Sequence, residues 1–257
     1  MSRLPVRARR VYRTGLYGSR SGRGRNRRKA ERCDKRLILV YLDSRLRAAF
    51  DFCRSGAASV DVGCDHARLA AALALEKNCR VIASDVKDGP LEAARRTLSE
   101  LNAESVLTVK SDGLDGIDFA DDVIICGMGG ELIADITERC RFKNENTRFI
   151  LQPMTKAAVM RKRLYGAGFE LLEEKTACEG GKIYSVMLWR YTGKAREISE
   201  IEALCGKNRD KVYLEFIAEK LRKNARGMEK SGGLAEEAER LRKQADAVMR
   251  KAVDCGR

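Results

Sequence analysis

Short apolar runs alternate with stretches of helical periodicity from residue 42 to residue 191, and this alternation limits the fold more than any other feature of the chain. Runs at 59–62, 80–84, 106–109, 123–126 and 148–151 are too short for helices and end in Gly, Asp, Ser or Gln. Helical spacing of apolar residues is read at 67–77, 90–102, 130–140 and 155–165, with Pro90 placed where a first helical turn tolerates a missing N–H. An amphipathic helix at 42–53 precedes them, with Leu42, Leu46, Ala49, Phe50 and Cys53 on one face. Two longer β-like runs, 169–177 and 182–191, flank Glu179-Gly180-Gly181, a hairpin signal. Strands that alternate with helices and end in a hairpin predict an α/β fold: a doubly wound, mostly parallel sheet of seven strands.

The tail follows another period. Leu234, Ala238, Leu241, Ala245, Val248 and Ala252 step by fours and threes, as do Leu214, Ile217, Leu221 and Met228 with Asn224 at the open slot. With Gly232-Gly233 between the two runs, a coiled-coil-like helical hairpin is expected. The head differs again. Residues 1–32 carry 12 basic side chains and one acid, whereas residues 33–193 carry 23 basic and 24 acidic ones. Most of the formal net charge of +14 therefore lies outside the folded body, and a uniformly basic protein is excluded. Residues 1–36, rich in Arg, Gly and Ser, cannot bury enough surface to offset their ordering entropy. They are expected to be a disordered arm that binds phosphate, or a stretch ahead of a misassigned start near Leu37 or Val40. The expected domains are thus 1–36, 37–193 and 194–257.

Nine cysteines without a CxxC pair argue against a zinc or disulfide framework, and a single histidine, His66, excludes a multi-histidine metal centre. No apolar run approaches the roughly 18 residues of a membrane span. No h-region follows the basic N-terminus, so a cytoplasmic protein with reduced cysteines and no metal is expected.

In a doubly wound sheet, ligands bind beyond the carboxyl ends of the strands. The first strand ends in Asp61-Val62-Gly63-Cys64-Asp65-His66-Ala67. Gly63 permits close approach of a ligand, but one glycine is not the GxGxxG that cradles a pyrophosphate, and Asp61 repels phosphate while attracting an ammonium group. A nicotinamide dinucleotide is disfavoured, and S-adenosylmethionine fits better. Asp85, with Val86 after it, ends the second strand, where a carboxylate can accept from ribose hydroxyls. Asp112 and Gly113 end the third, placed for an adenine amine; Gly127, Met128 and Gly129 follow the fourth, facing the transferable methyl. Gln152, after the fifth, could read a base edge or simply cap the strand.

These residues carry a resemblance. The blocks Leu42-Asp43-Ser44-Arg45-Leu46, Asp61 to Ala67, Asp88-Gly89-Pro90, Asp112-Gly113-Leu114, Gly127-Met128-Gly129-Gly130 and Leu151-Gln152-Pro153 resemble the bacterial tRNA adenine-N1 methyltransferases of the TrmK type, which have a Rossmann-like fold. About 210 residues take part, and Cys64 stands where a residue such as Ser is expected. The resemblance implies methyl transfer from S-adenosylmethionine to N1 of adenine 22 in tRNA. N1 lies on the Watson–Crick edge, so the base must be unpaired or extruded. Its lone pair needs no general base, so alignment carries most of the rate, and Asp65 is the candidate to stabilise the cationic product, with His66 positioning or packing. Lys156, Arg161, Lys162 and Arg163, with Lys223 and Arg226 in the tail, are candidate phosphate contacts or ordinary solvated faces. A monomer is expected. A methyltransferase of another RNA or of a protein, and a non-catalytic module that binds the cofactor and RNA, remain the alternatives.

Overall fold

The structure, a computed structural model, describes residues 40–230 and 235–254. The expectations for residues 1–36, for Leu234 and for the Gly232-Gly233 turn lie outside the described residues. Helix α1 (Ser44–Phe52) starts at Asp43, whose carboxylate accepts from the Leu46 N–H at 2.7 Å. From the middle of the sheet, β1 (Ala58–Val62), α2 (Arg68–Lys77), β2 (Arg80–Asp85), α3 (Asp88–Glu100) and β3 (Leu107–Lys110) step outward. The chain then returns beside β1 and builds the other half with β4 (Asp122–Gly129), α4 (Gly130–Glu138), β5 (Arg148–Thr155), α5 (Ala157–Gly166), β6 (Phe169–Glu179) and β7 (Lys182–Tyr191).

The strand order is β3-β2-β1-β4-β5-β7-β6. The first five strands are parallel; β7 runs antiparallel to β5 and to β6. This is the doubly wound, seven-stranded sheet expected from the sequence. Its central strands are covered on both faces, so Val60, Ile124, Ile125, Ile150 and Leu151 are all fully buried. The chain reverses its direction of travel across the sheet between β1 and β4, and a crevice opens there above their carboxyl ends. Strands β4 and β5 run further than the apolar runs suggested. Met128 still pairs with Pro153, and Gly129 with Thr155, across an irregular register.

After the sheet come α6 (Glu200–Cys205), α7 (Lys211–Lys230) and α8 (Ala235–Asp254), the last two packed as a helical hairpin. The α8 seam is as read from the sequence: Ala238, Ala245, Val248 and Ala252 are buried. The α7 seam needs correcting. Leu214, Ala218, Leu221 and Ala225 are buried, whereas Met228 is 36% exposed and Asn224 is exposed as well. Apolar bulk pointed to Met228, but small Ala218 and Ala225 turn inward because the facing side of α8 is itself alanine-rich. Helix α6 was not anticipated, although Ser199, which accepts from the Glu202 N–H, forms a capping pattern with that acid.

Candidate active site

A cleft of about 650 Å³ lies over the switch point between β1 and β4. Its floor is the end of β1. Asp61 is 5% exposed, and burial pushes its carboxyl up to about 7, against a hydrogen bond from the Ala70 backbone that lowers it. The turn after β1 is sharp: Gly63, Asp65 and Ala67 all have positive φ. It is tied to β2, because the N–H groups of Gly63 and Cys64 donate to the Ser84 carbonyl at 2.8 and 3.0 Å. A Cβ on Gly63 would collide with the Cε methyl of Met128. Asp85 lines the cleft at the end of β2, with Oδ1 accepting from the Lys87 N–H at 3.0 Å. Burial raises the thiols of Cys64 and Cys126, and the Asp61 carboxylate adds to it, so neither is a thiolate nucleophile at neutral pH.

The opposite wall was missed in the sequence. Asp43, Arg45 and Leu46 of the α1 start, Met154 near the end of β5, and Glu179 and Tyr184 of the β6–β7 hairpin all face this cleft. Helix α1 is pinned there by Ser44, whose N–H donates to Glu179 Oε2 at 2.9 Å and whose hydroxyl donates to the Cys178 carbonyl at 2.7 Å. Arg45 donates from Nη1 to Gln152 Oε1 at 2.8 Å and from Nη2 to Asp43 Oδ2 at 3.1 Å, and its guanidinium lies 5.9 Å from the Tyr184 ring centre. The block Leu42-Asp43-Ser44-Arg45-Leu46 is one of those that carry the resemblance. Its apolar spacing made α1 look like core alone.

Of the expected cofactor residues, Asp61, Gly63, Cys64, Asp85, Gly127 and Met128 line the cleft. Val86, Asp112, Gly113 and Gly129 do not. Val86 is 54% exposed, Asp112 lies 3.8 Å from Arg139, and Gly113 packs on Ile136. Glycine is required at Gly130 for packing, because a Cβ would stand 2.6 Å from the Lys156 carbonyl oxygen. Asp65 and His66 sit on the rim, their side chains 77% and 60% exposed.

Two expectations are overturned. Gln152 is fully buried and does not face the cleft; its Oε1 also accepts from the Gly127 N–H at 3.1 Å, and Nε2 donates to the Pro153 carbonyl at 3.0 Å. It holds Arg45 and the Gly127 turn in place, and has no edge left to read a base. Arg161 is no phosphate contact: it is fully buried, paired with Glu174, and donates to the Ala203 carbonyl at 2.7 Å and to the Tyr213 hydroxyl at 3.0 Å. Burial lowers its pKa, but Glu174 more than offsets this and the guanidinium stays charged. Other expected RNA contacts carry local partners: Lys156 pairs with Glu131, Lys162 with Glu200, Arg163 with Glu138 and Asp135, and Arg226 with Glu219. Lys223 is exposed. Among the described residues, no group of three or more His, Cys, Asp or Glu could hold a metal ion, and no helix is long and apolar enough to cross a membrane.

A mostly parallel sheet wound on both sides, with a carboxylate at the end of β1 and another at the end of β2, defines a Rossmann-like protein. A family model for the methyltransferase domain matches residues 42–187, and the chain belongs to that family. It is 36% identical over 154 residues to the tRNA (adenine(22)-N(1))-methyltransferase of Bacillus subtilis, a match that covers 58% of this chain and 65% of that relative. Among solved structures, a protein of the NADB-Rossmann superfamily from Streptococcus agalactiae is 27% identical with a TM-score of 0.72, covering 84% of this chain and 99% of its own. The Bacillus subtilis m1A22 tRNA methyltransferase TrmK is 26% identical with a TM-score of 0.69, covering 84% and 99%. A Streptococcus pneumoniae protein solved in complex with S-adenosyl-L-methionine is 27% identical with a TM-score of 0.69, covering 82% and 100%.

Proposed function

We propose that this chain is an S-adenosylmethionine-dependent methyltransferase that acts on N1 of adenine 22 in tRNA. The observation that carries the cofactor half is Asp61, a buried carboxyl on the cleft floor, held near 7 by burial and facing a space that suits a cation. An ammonium group there would restore the ionised form. When bound, S-adenosylmethionine supplies a methyl group activated by a sulfonium. Asp61 would hold the amino-acid end, with Gly63 letting it approach the backbone, and Asp85 would accept from the ribose hydroxyls. Asp112 and Gly113, beyond the end of β3, lie outside this cleft and would be met only by the far, adenine end of the cofactor.

The relatives' substrate supports the other half. N1 of adenine attacks through its own lone pair, so the protein's contribution is alignment, worth about 7–11 kcal/mol in favourable cases. Arg45, fixed by Gln152 and Asp43, and Tyr184 form the wall that an extruded base would meet. Asp65 and His66 stand at the rim, where the carboxylate gains strength against the developing cation only once substrate excludes water. Catalysis is assigned to residues 37–193, with residues 194–257 as an appendage, in a monomer working in the cytoplasm where tRNA is modified.

Incubation of unmodified tRNA with the protein and S-adenosylmethionine, followed by nucleoside mass spectrometry, is expected to yield 1-methyladenosine, lost in a transcript with guanine at position 22. Absence of that nucleoside from the adenine-22 transcript would overturn the assignment.

A further inference from the structure

Most of the cations expected to meet RNA turn out to be buried or paired, which leaves open where a polyanion is gripped. Residues 206–210, between α6 and α7, stand out. Lys207 and Arg209 point into solvent, whereas Asn208 between them is 2% exposed. Among the described residues, neither the Lys207 ammonium nor the Arg209 guanidinium has a hydrogen-bond or ion-pair partner.

The loop beneath them is held by its own hydrogen bonds. The Lys207 N–H donates to Glu174 Oε2 at 2.9 Å. Asn208 donates from Nδ2 to the Thr176 hydroxyl at 3.0 Å, and its Oδ1 accepts from the Asp210 N–H at 2.9 Å. Gly206 has φ +60, and a Cβ there would collide with Glu174 and Arg161. Glu174 is itself fully buried against Arg161. A buried ion pair is a poor source of stability, since apolar replacements of both partners are often neutral or better. What this pair does is hold one loop geometry.

Grooves open on both sides of the loop. One, of about 600 Å³, adds Arg47 of α1 and Lys175 of β6; the other, of about 470 Å³, adds Lys251 of α8. These flanking cations are engaged locally, Arg47 at 3.7 Å from Glu76, Lys175 over the Phe52 ring and Lys251 donating to the Gly206 carbonyl at 3.5 Å, so the unpaired Lys207 and Arg209 carry the argument. The acids that face them are Asp51, Glu173 and Asp210, besides Glu174. Asp210 is engaged by the Val212 N–H at 2.8 Å, and Glu174 is neutralised by Arg161. The larger groove meets the active-site cleft across the first turn of α1: Ser44 and Arg47 line the groove, Asp43 and Arg45 the cleft.

We propose that the 206–210 loop, with Lys207 and Arg209 at its tip and Arg47, Lys175 and Lys251 beside it, is a preorganised clamp for the phosphate backbone of the RNA substrate, seated next to the cleft that takes the target base. The inference rests on the RNA-methyltransferase reading for its partner. Preorganisation matters because a loop already held by its own hydrogen bonds loses little entropy on binding.

The test measures binding of tRNA over a salt series to the full chain and to Lys207→Ala, Arg209→Ala, Arg209→Lys and Arg96→Ala, the last on α3 near the far edge of the sheet. Lys207→Ala and Arg209→Ala should each weaken binding about three- to tenfold and lower the log–log salt slope by about one. Arg96→Ala should change neither, Arg209→Lys should keep the slope, and the thermal shift with S-adenosylmethionine should be the same in all, which shows that the fold is intact. Wild-type affinity and slope in both alanine variants would overturn the clamp even if the wild type makes 1-methyladenosine. Binding that follows this pattern without methylation would support the clamp while the enzymatic reading falls. No binding of tRNA by the wild type at about 50 mM salt, where phosphate contacts are strong, would overturn both.

Discussion

At the residue scale the site turns on Asp61, Gly63 and Asp65. Asp61 has its pKa raised by burial from 3.8 to about 7, so the protein favours its protonated form. The stability this lends is complete below about pH 4 and is lost as pH rises through 7. Asp61→Asn should therefore raise the melting temperature of the ligand-free protein at pH 8, while abolishing the thermal shift with S-adenosylmethionine. Wild-type affinity for the cofactor should rise between pH 6 and pH 8, measured by calorimetry. Gly63→Ala would impose both a left-handed conformation and a clash with Met128, so cofactor affinity should fall at least tenfold, with part of the loss recovered in Gly63→Ala/Met128→Ala. Asp65 is largely exposed on the rim, and under the proposed mechanism Asp65→Asn is expected to lower turnover by less than about a hundredfold at saturating substrates; full turnover would remove it from the mechanism. Asp61, Gly63 and Asp85 were legible because a strand end in a doubly wound sheet has one destination. Gln152 was not, because its chemistry suits either a base edge or an internal clamp, and only the neighbours Arg45 and Gly127 decide between them.

At the scale of elements, the strands and helices of the sheet half were readable from period and length, and the departures fall where two elements meet. Helix α1 has an apolar face that the sequence shows plainly, yet its polar first turn becomes a wall of the cleft because the β6–β7 hairpin holds it at Ser44. Arg161 lies in a run of basic residues that reads as a surface, but β6 brings Glu174 to it and α7 brings Tyr213. Breaking that pair leaves a buried charge. Arg161→Met should lower stability by about 3–5 kcal/mol in denaturant unfolding, and Arg161→Met/Glu174→Met should cost much less than the two single changes together. Equal and additive losses would mean that the pair is not coupled. The α7 seam shows the same dependence on a partner, since an alanine faces inward only when its neighbour is small enough to meet it.

For the whole molecule, net charge was a poor guide to function. The residues that line the cleft run from Asp43 to Tyr184, inside a stretch of nearly balanced charge. Removing residues 1–36 is therefore expected to leave the thermal shift with S-adenosylmethionine and the turnover number unchanged, while raising KM for RNA and reducing its salt dependence; a lost cofactor shift would contradict this. By itself, the sequence determined the order of strands and helices through the sheet, its doubly wound form and the row of acids at the carboxyl ends of its strands. Those depend on local period and on a chain-crossing rule that holds for any sheet of this type. Only the tertiary structure decided which polar groups stay free. Whether an arginine grips a phosphate or a buried glutamate depends on what lies opposite, and residues such as Arg161 and Glu174, or Arg45 and Gln152, meet only after the sheet has closed.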